Sequence, residues 1–177
     1  MRLVKGNRIV DDKFVRVLDD APVPEGVPVL IPAARFLADS AELLSRTTPV
    51  GVFWPNSRNV SELAPYLDKL ALVALVFPAF KDGRAYSQAR LLRERHGYRG
   101  ELRATGDVLR DQFLFLVRAG FDALEVKKDA DAEVFAASVA RYSVFYQPAG
   151  DGHVSALQAR LTQPRVDRRA AVSDVAR

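Results

Sequence analysis

Short apolar runs alternate along the chain with longer stretches of helical periodicity. The runs at 27–31, 50–54, 72–77, 102–104, 123–126 and 144–146 are mostly rich in β-branched or aromatic side chains and predict strands. Between them, 33–45, 60–70, 84–96, 108–119 and 130–142 predict helices long enough to cross back over a sheet. Asn59 with Glu62 three residues on resembles a capping box, and Asp82, Asp107 and Asp129 stand where an N-cap carboxylate accepts free backbone N–H groups. Gly97 and Gly120 mark two helix ends. The first twenty residues predict short strands at 2–4, 8–10 and 14–18, reversed at Gly6-Asn7 and Asp11-Asp12. Pro22, Pro24, Gly26 and Pro28 then form a stiff connector.

Strand–helix–strand alternation with short connections implies an α/β fold with parallel strands joined by right-handed crossovers. The expected architecture is an open, mostly parallel sheet of five to six strands with flanking helices, preceded by a short N-terminal β-meander. A truncated barrel-like version also fits, since a full eightfold barrel takes about 250 residues and this chain has 177. The run LVALVF at 72–77 suits burial on both faces. The organisation expected is a meander extension at 1–22, an α/β core domain at 23–150 and an arginine-rich mobile tail at 151–177.

Composition adds exclusions. Apolar residues at 49% and charged residues at 27% suit a soluble globular domain and exclude disorder, collagen and coiled coil. The longest apolar run, 70–80, contains Pro78 and falls well short of the ~20 residues needed to cross a bilayer. The opening MRLVKGNRIVDDKF has no apolar block of the secretory type, so a cytoplasmic location is expected. The absence of cysteine removes disulfides, thiolate nucleophiles and cysteine-held clusters. The net charge of +4 is uneven, because five arginines and two aspartates at 158–177 supply +3 of it. The remainder carries only +1, which argues against nucleic acid as a partner.

In parallel sheets, ligands bind beyond the carboxyl ends of the strands, where loops and helix amino ends converge. The loops at 55–59, 78–84, 105–107 and 127–129 hold the candidates. Lys81, Arg84, Arg58 and Lys127 are expected to face one anion, with Gly83 and Gly106 in the same loops and Arg103 and Arg110 joining them. Asp82, Asp107 and Glu125 are the candidate acids or bases, although capping alone also explains the two aspartates. There is no G-x-G-x-x-G after a strand, no Walker loop and no G-x-S-x-G elbow. His96 and His153 are the only histidines, so no His-rich metal site is expected. The segment DVLRDQFLFLVRAG is apolar nearly all round, which predicts either deep burial or a face for a partner or a second copy at 108–119.

The block FPAFKDGRAYSQARLLRERHGYRGELRATGDVLRDQFLFLVRAGFD at 77–122 resembles the hallmark segment of a bacterial family of unknown function. That family is encoded beside assimilatory sulfite reductase. The likeness lies in F-P-x-F, D-G-R, A-R-L-L-R, G-Y-x-G-E-L-R-A, G-D-V-L-x-D-Q and G-F-D. It implies a predicted oxidoreductase or accessory protein of sulfite reduction and assigns no catalytic residues. With no thiols and no nicotinamide fingerprint, only a flavin or a carrier lent by a partner would move electrons. The expected function is therefore an accessory protein that docks on a sulfite reductase component or binds a small anion, sulfite or adenylylated sulfate. The alternative is an enzyme acting on an anionic substrate at the strand ends.

Overall fold

The computed structural model describes residues 2–5, 8–141, 144–149 and 154–162. Its centre is one eight-stranded sheet. In chain order the strands are β1 (Arg2–Lys5), β2 (Arg8–Val10), β3 (Val15–Arg16), β4 (Val29–Pro32), β5 (Val50–Trp54), β6 (Leu72–Phe77), β7 (Glu101–Gly106) and β8 (Ala123–Val126). Their spatial order is β2-β1-β8-β7-β6-β5-β4-β3. From β3 to β8 all neighbours are parallel, whereas β1 runs antiparallel to both β8 and β2. The expected three-strand meander is thus divided. β1 and β2 form a hairpin at one edge, while β3 pairs in parallel with β4 at the other.

Because the six parallel strands lie in strict sequence order, every right-handed crossover passes over the same face. The core reflects this. Val52 and Trp54, Val73, Leu75 and Phe77, Leu102 and Ala104, and Leu124 and Val126 point to one side, where they join Phe36, Leu63, Ala89, Phe113 and Phe135 from the helices. Alternate residues point the other way, as a pleat requires. There Leu30, Leu72 and Ala74 form a small second cluster with Phe14 and Phe53 and no helical residue.

The second face is concave, and a cross-sheet ion pair requires the curl. Arg16 on β3 bonds Glu125 on β8, five strand spacings away and therefore about 24 Å in a flat sheet. The chain is thus an open half-barrel. At the bottom of the concave face lies Arg103, only 1% exposed. Its guanidinium meets Asp12 at 2.6 Å, Glu101 at 2.9 Å and Glu125 at 3.5 Å, and it covers the Phe14 ring at 5.7 Å. Thr105 donates to the other oxygen of Glu125. Burial disfavours the Arg103 charge, but the hydrogen bond to Asp12 and the field of Glu101 outweigh it, so the group is held above its usual range.

The helices are shorter and less regular than expected. They are α1 (Ala33–Ala38), α2 (Ser40–Leu43), α3 (Arg84–Arg90), α4 (Phe113–Arg118), α5 (Asp129–Ala140) and α6 (Ala156–Thr162). The expected helix at 33–45 divides at Asp39-Ser40, two residues whose side chains compete for backbone partners. That at 60–70 is a 3-10 helix, Val60–Tyr66, because Pro65 has no N–H for a continuous α-helical ladder. Asn59 does cap it through Ser61 N–H at 3.0 Å, but Glu62 pairs with Arg58 rather than closing a capping box. α3 continues as a π turn, Leu91–Arg95, and α4 is preceded by a 3-10 turn, Arg110–Gln112. The expected strand at 144–146 is reduced to a bridge between Phe145 and Ser155, since β1 already occupies the free edge of β8. His153, the Gly6-Asn7 turn and the tail at 163–177 lie outside the described residues.

Arg103→Met leaves Glu125 buried beside fewer cations. It is expected to lower stability by about 3–5 kcal/mol, read as a shift of the urea midpoint at constant m-value. A loss below about 1 kcal/mol would show that the network is incidental to the fold.

Candidate functional site

The loops beyond β5 to β8 meet as the parallel arrangement requires, and Asp107 ties three of them together. Gly106 ends β7 at φ 98°, with its α-carbon so close to the Phe77 carbonyl that a β-carbon would collide with it. That turn brings the Asp107 N–H to Phe77 O at 2.8 Å. The Asp107 carboxylate then accepts from Lys127 Nζ at 2.9 Å, after β8, and from the Phe80 N–H at 3.1 Å, after β6. Asp107 is therefore a clasp between loops and not the N-cap that its position suggested, since Leu109 occupies that place. Gln112 reinforces the clasp by donating to Phe80 O and accepting from the Leu109 N–H, both at 3.0 Å.

Asp82 stands before α3 and grips Arg84. Its oxygens accept from Arg84 Nε at 3.0 Å, Nη2 at 2.6 Å and the Arg84 backbone N–H at 3.3 Å. These side-chain bonds hold its carboxyl well below the usual range, aided by the nearby Asn56 amide, and Asp82 in turn raises Arg84. Gly83 is the N-cap residue of α3. The Lys127 bond lowers Asp107 in the same way, with help from the Phe80 N–H. Both carboxyls stay ionised at neutral pH, which suits them to holding cations better than to giving up protons.

The cations expected to share one anion are largely engaged already. Arg58 pairs with Glu62 at 2.9 Å and lies over the Trp54 ring at 5.5 Å. Arg110 turns to Asp131 on α5. Lys127 and Arg84 hold Asp107 and Asp82. Lys81 has no carboxylate partner among the described residues. Arg103 and Glu125 do not join these loops, because their odd-numbered positions on β7 and β8 place them on the concave face.

At the end of β5 a set of groups emerges that the sequence did not single out. Gln88 on α3 donates to the Arg58 carbonyl at 2.8 Å and the Pro55 carbonyl at 3.3 Å, which fixes the orientation of its amide. Its Oε1, together with Asn56 Nδ2 and Trp54 Nε1, is buried without a hydrogen-bond partner. Asn56 is only 7% exposed. The Asn56 amide is near enough to Asp82 to lower its pKa, but Nδ2 makes no bond of normal geometry to it. No spacing rule marks these three residues; only folding brings them to Arg58 and Arg84.

The depressed aspartates contribute stability that is complete above the unfolded aspartate pKa, near 3.9, and is lost as pH falls through their lower folded values. In Lys127→Ala, the Asp107 carboxyl midpoint followed by NMR is expected to rise toward the ordinary aspartate value, while that of Asp82 stays in place. An unmoved Asp107 midpoint would remove Lys127 from the clasp.

No curated protein matches the chain. A family model does match, over residues 51–157. That span takes in β5 to β8, the loops just described and both Arg103 and Glu125, and it leaves out β1 to β4. The chain belongs to a family described as bacterial protein of unknown function (DUF934).

Proposed function

We propose that the chain is an accessory protein of assimilatory sulfite reduction, which holds a small oxyanion, sulfite or adenylylated sulfate, at the ends of β5 and β6. The reading rests chiefly on the two buried donors, Trp54 Nε1–H and Asn56 Nδ2–H, that find no protein acceptor. A buried donor left unmet costs roughly 1–3 kcal/mol, and an oxyanion is an acceptor suited to donors of this kind. Arg58 and Arg84 stand beside them. Arg84 is held by Asp82 in an exposed pair, and such pairs contribute only about 0–1 kcal/mol, so an incoming anion competes for it readily. Gln88 Oε1, the one unmet acceptor of the three, favours an oxyanion that still carries a proton, as hydrogensulfite does.

A docking role on a reductase component has its own support. Of the apolar stretch at 108–119, Phe113 and Leu116 are buried, but Phe115 is 65% exposed and Leu109 39%. Phe80 is also exposed, in the loop clasped by Asp107. An enzyme using Asp82 or Asp107 as proton donor is the weaker reading, since both carboxyls are held low.

Calorimetric titration with sulfite is expected to give saturable binding in the micromolar to millimolar range. Asn56→Ala and Arg84→Ala should each weaken it by about tenfold or more, with an unchanged melting temperature for Arg84→Ala. The proposal fails if neither sulfite, adenylylated sulfate nor a purified sulfite reductase component binds the chain.

A further inference from the structure

The concave face carries a second feature, independent of the loop site because it lies on the opposite side of the sheet from Trp54. A cavity of about 410 Å³ opens there, walled by Arg2, Asp11, Asp12, Arg16 and Glu125 with Phe14 among its apolar residues. Its volume falls within the roughly 300–1,000 Å³ typical of small-molecule sites. A smaller cavity of about 200 Å³ shares the Arg16 wall and is lined further by Asp19 and by the apolar Val17, Leu18, Leu30, Pro32 and Phe53.

Charge accounting identifies the kind of ligand. The wall of the larger cavity sets Arg2 and Arg16 against Asp11, Asp12 and Glu125, and the buried Arg103 behind it is met by Glu101 as well as by Asp12 and Glu125. A simple anion therefore meets more carboxylates than arginines, and a simple cation meets Arg2 and Arg16 on the same wall. A ligand that bears both signs meets neither penalty when its two ends are turned the right way. Two groups in this wall have capacity to spare. Arg16 spends Nη2 on Glu125 and leaves the rest of its donor fork open, with the side chain 42% exposed. Asp11 has no hydrogen bond or ion pair to any described residue. The remaining members are fixed, since Asp12 holds Arg103 and the Phe14 N–H, and Glu125 holds Arg16 and Thr105. The wall is thus rigid at its base and unsatisfied at one cation and one carboxylate.

We propose that this concave cavity binds a free α-amino acid with an apolar side chain. Its carboxylate lies on the open edge of Arg16, its ammonium on Asp11 with the field of Asp12 behind it, and its side chain in the apolar chamber of Leu30, Pro32 and Phe53. The ligand bridges the mouth of the half-barrel, between the segment leading into β3 and the floor set by β8.

The full chain is titrated calorimetrically with L-leucine as the probe. Three comparisons are glycine, which lacks the side chain, 3-methylbutan-1-amine, which lacks the carboxylate, and 4-methylpentanoate, which lacks the ammonium. Leucine is expected to bind with Kd at or below about 1 mM, and each comparison to be weaker by about tenfold or more. Arg16→Gln should abolish binding but also loosens the sheet, so the decisive variant is Asp11→Asn, at the rim and outside the buried network. It should weaken leucine by about tenfold at an unchanged melting temperature and leave sulfite binding as it was. The proposal is overturned if leucine, methionine and phenylalanine all fail to bind at about 10 mM. It is equally overturned if the singly charged analogues match leucine, or if Asp11→Asn binds leucine undiminished.

Discussion

Arg103 is the residue around which the half-barrel is organised. A guanidinium that is 1% exposed must recover the hydration it loses, and Asp12, Glu101 and Glu125 supply that from three separate segments. Asp12 brings the stretch between β2 and β3 across the concave face, and Glu125 reaches on to Arg16 at the far edge. Arg103 also covers the Phe14 ring, and Phe14 packs with Phe53, Leu30, Leu72 and Ala74 in the cluster of the concave face. An apolar residue there would keep β7 in its sheet but would remove the tie to Asp12, leaving the N-terminal segment to the β1–β8 and β3–β4 pairings and the packing of Phe14.

The curl separates two kinds of chemistry. On the helix side, the strand ends carry exposed ion pairs whose carboxylates are held ionised, together with unmet buried donors at the end of β5. On the concave side Arg103 and Glu125 are buried and locked at the base, with spare capacity at Arg16 and Asp11. The first arrangement suits exchange of a protein carboxylate for an external oxyanion. The second suits a ligand of both signs. That Arg103 and Glu125 fall within the family-matched span while Asp12 and Arg16 do not shows that the concave wall is assembled from two parts of the chain.

Strand positions were legible because the apolar runs at 50–54, 72–77 and 123–126 become β5, β6 and β8 with the same limits. Periodicity shows which residues face inward, but not which strand lies beside which, so the sequential order and the β1–β8 pairing had to come from the structure. The alternation in ELRAT carries a readable clue. Glu101, Arg103 and Thr105 share one face while Leu102 and Ala104 share the other, which marks a polar side to β7. Local chemistry misled at Asp107, where a plausible N-cap is a clasp on Lys127 twenty residues away. The basic loop cluster was legible as composition, but the carboxylates that neutralise most of it were not, because Asp131 meets Arg110 only after α5 packs.

The proposed role in sulfite reduction is tested most directly by growth of a strain from which the gene has been deleted. Such a strain is expected to fail on sulfate as sole sulfur source and to grow normally on cysteine, with growth on sulfate restored by the wild-type gene and not by an Arg84→Ala copy. Growth of the deletion strain on sulfate at the parental rate would contradict it.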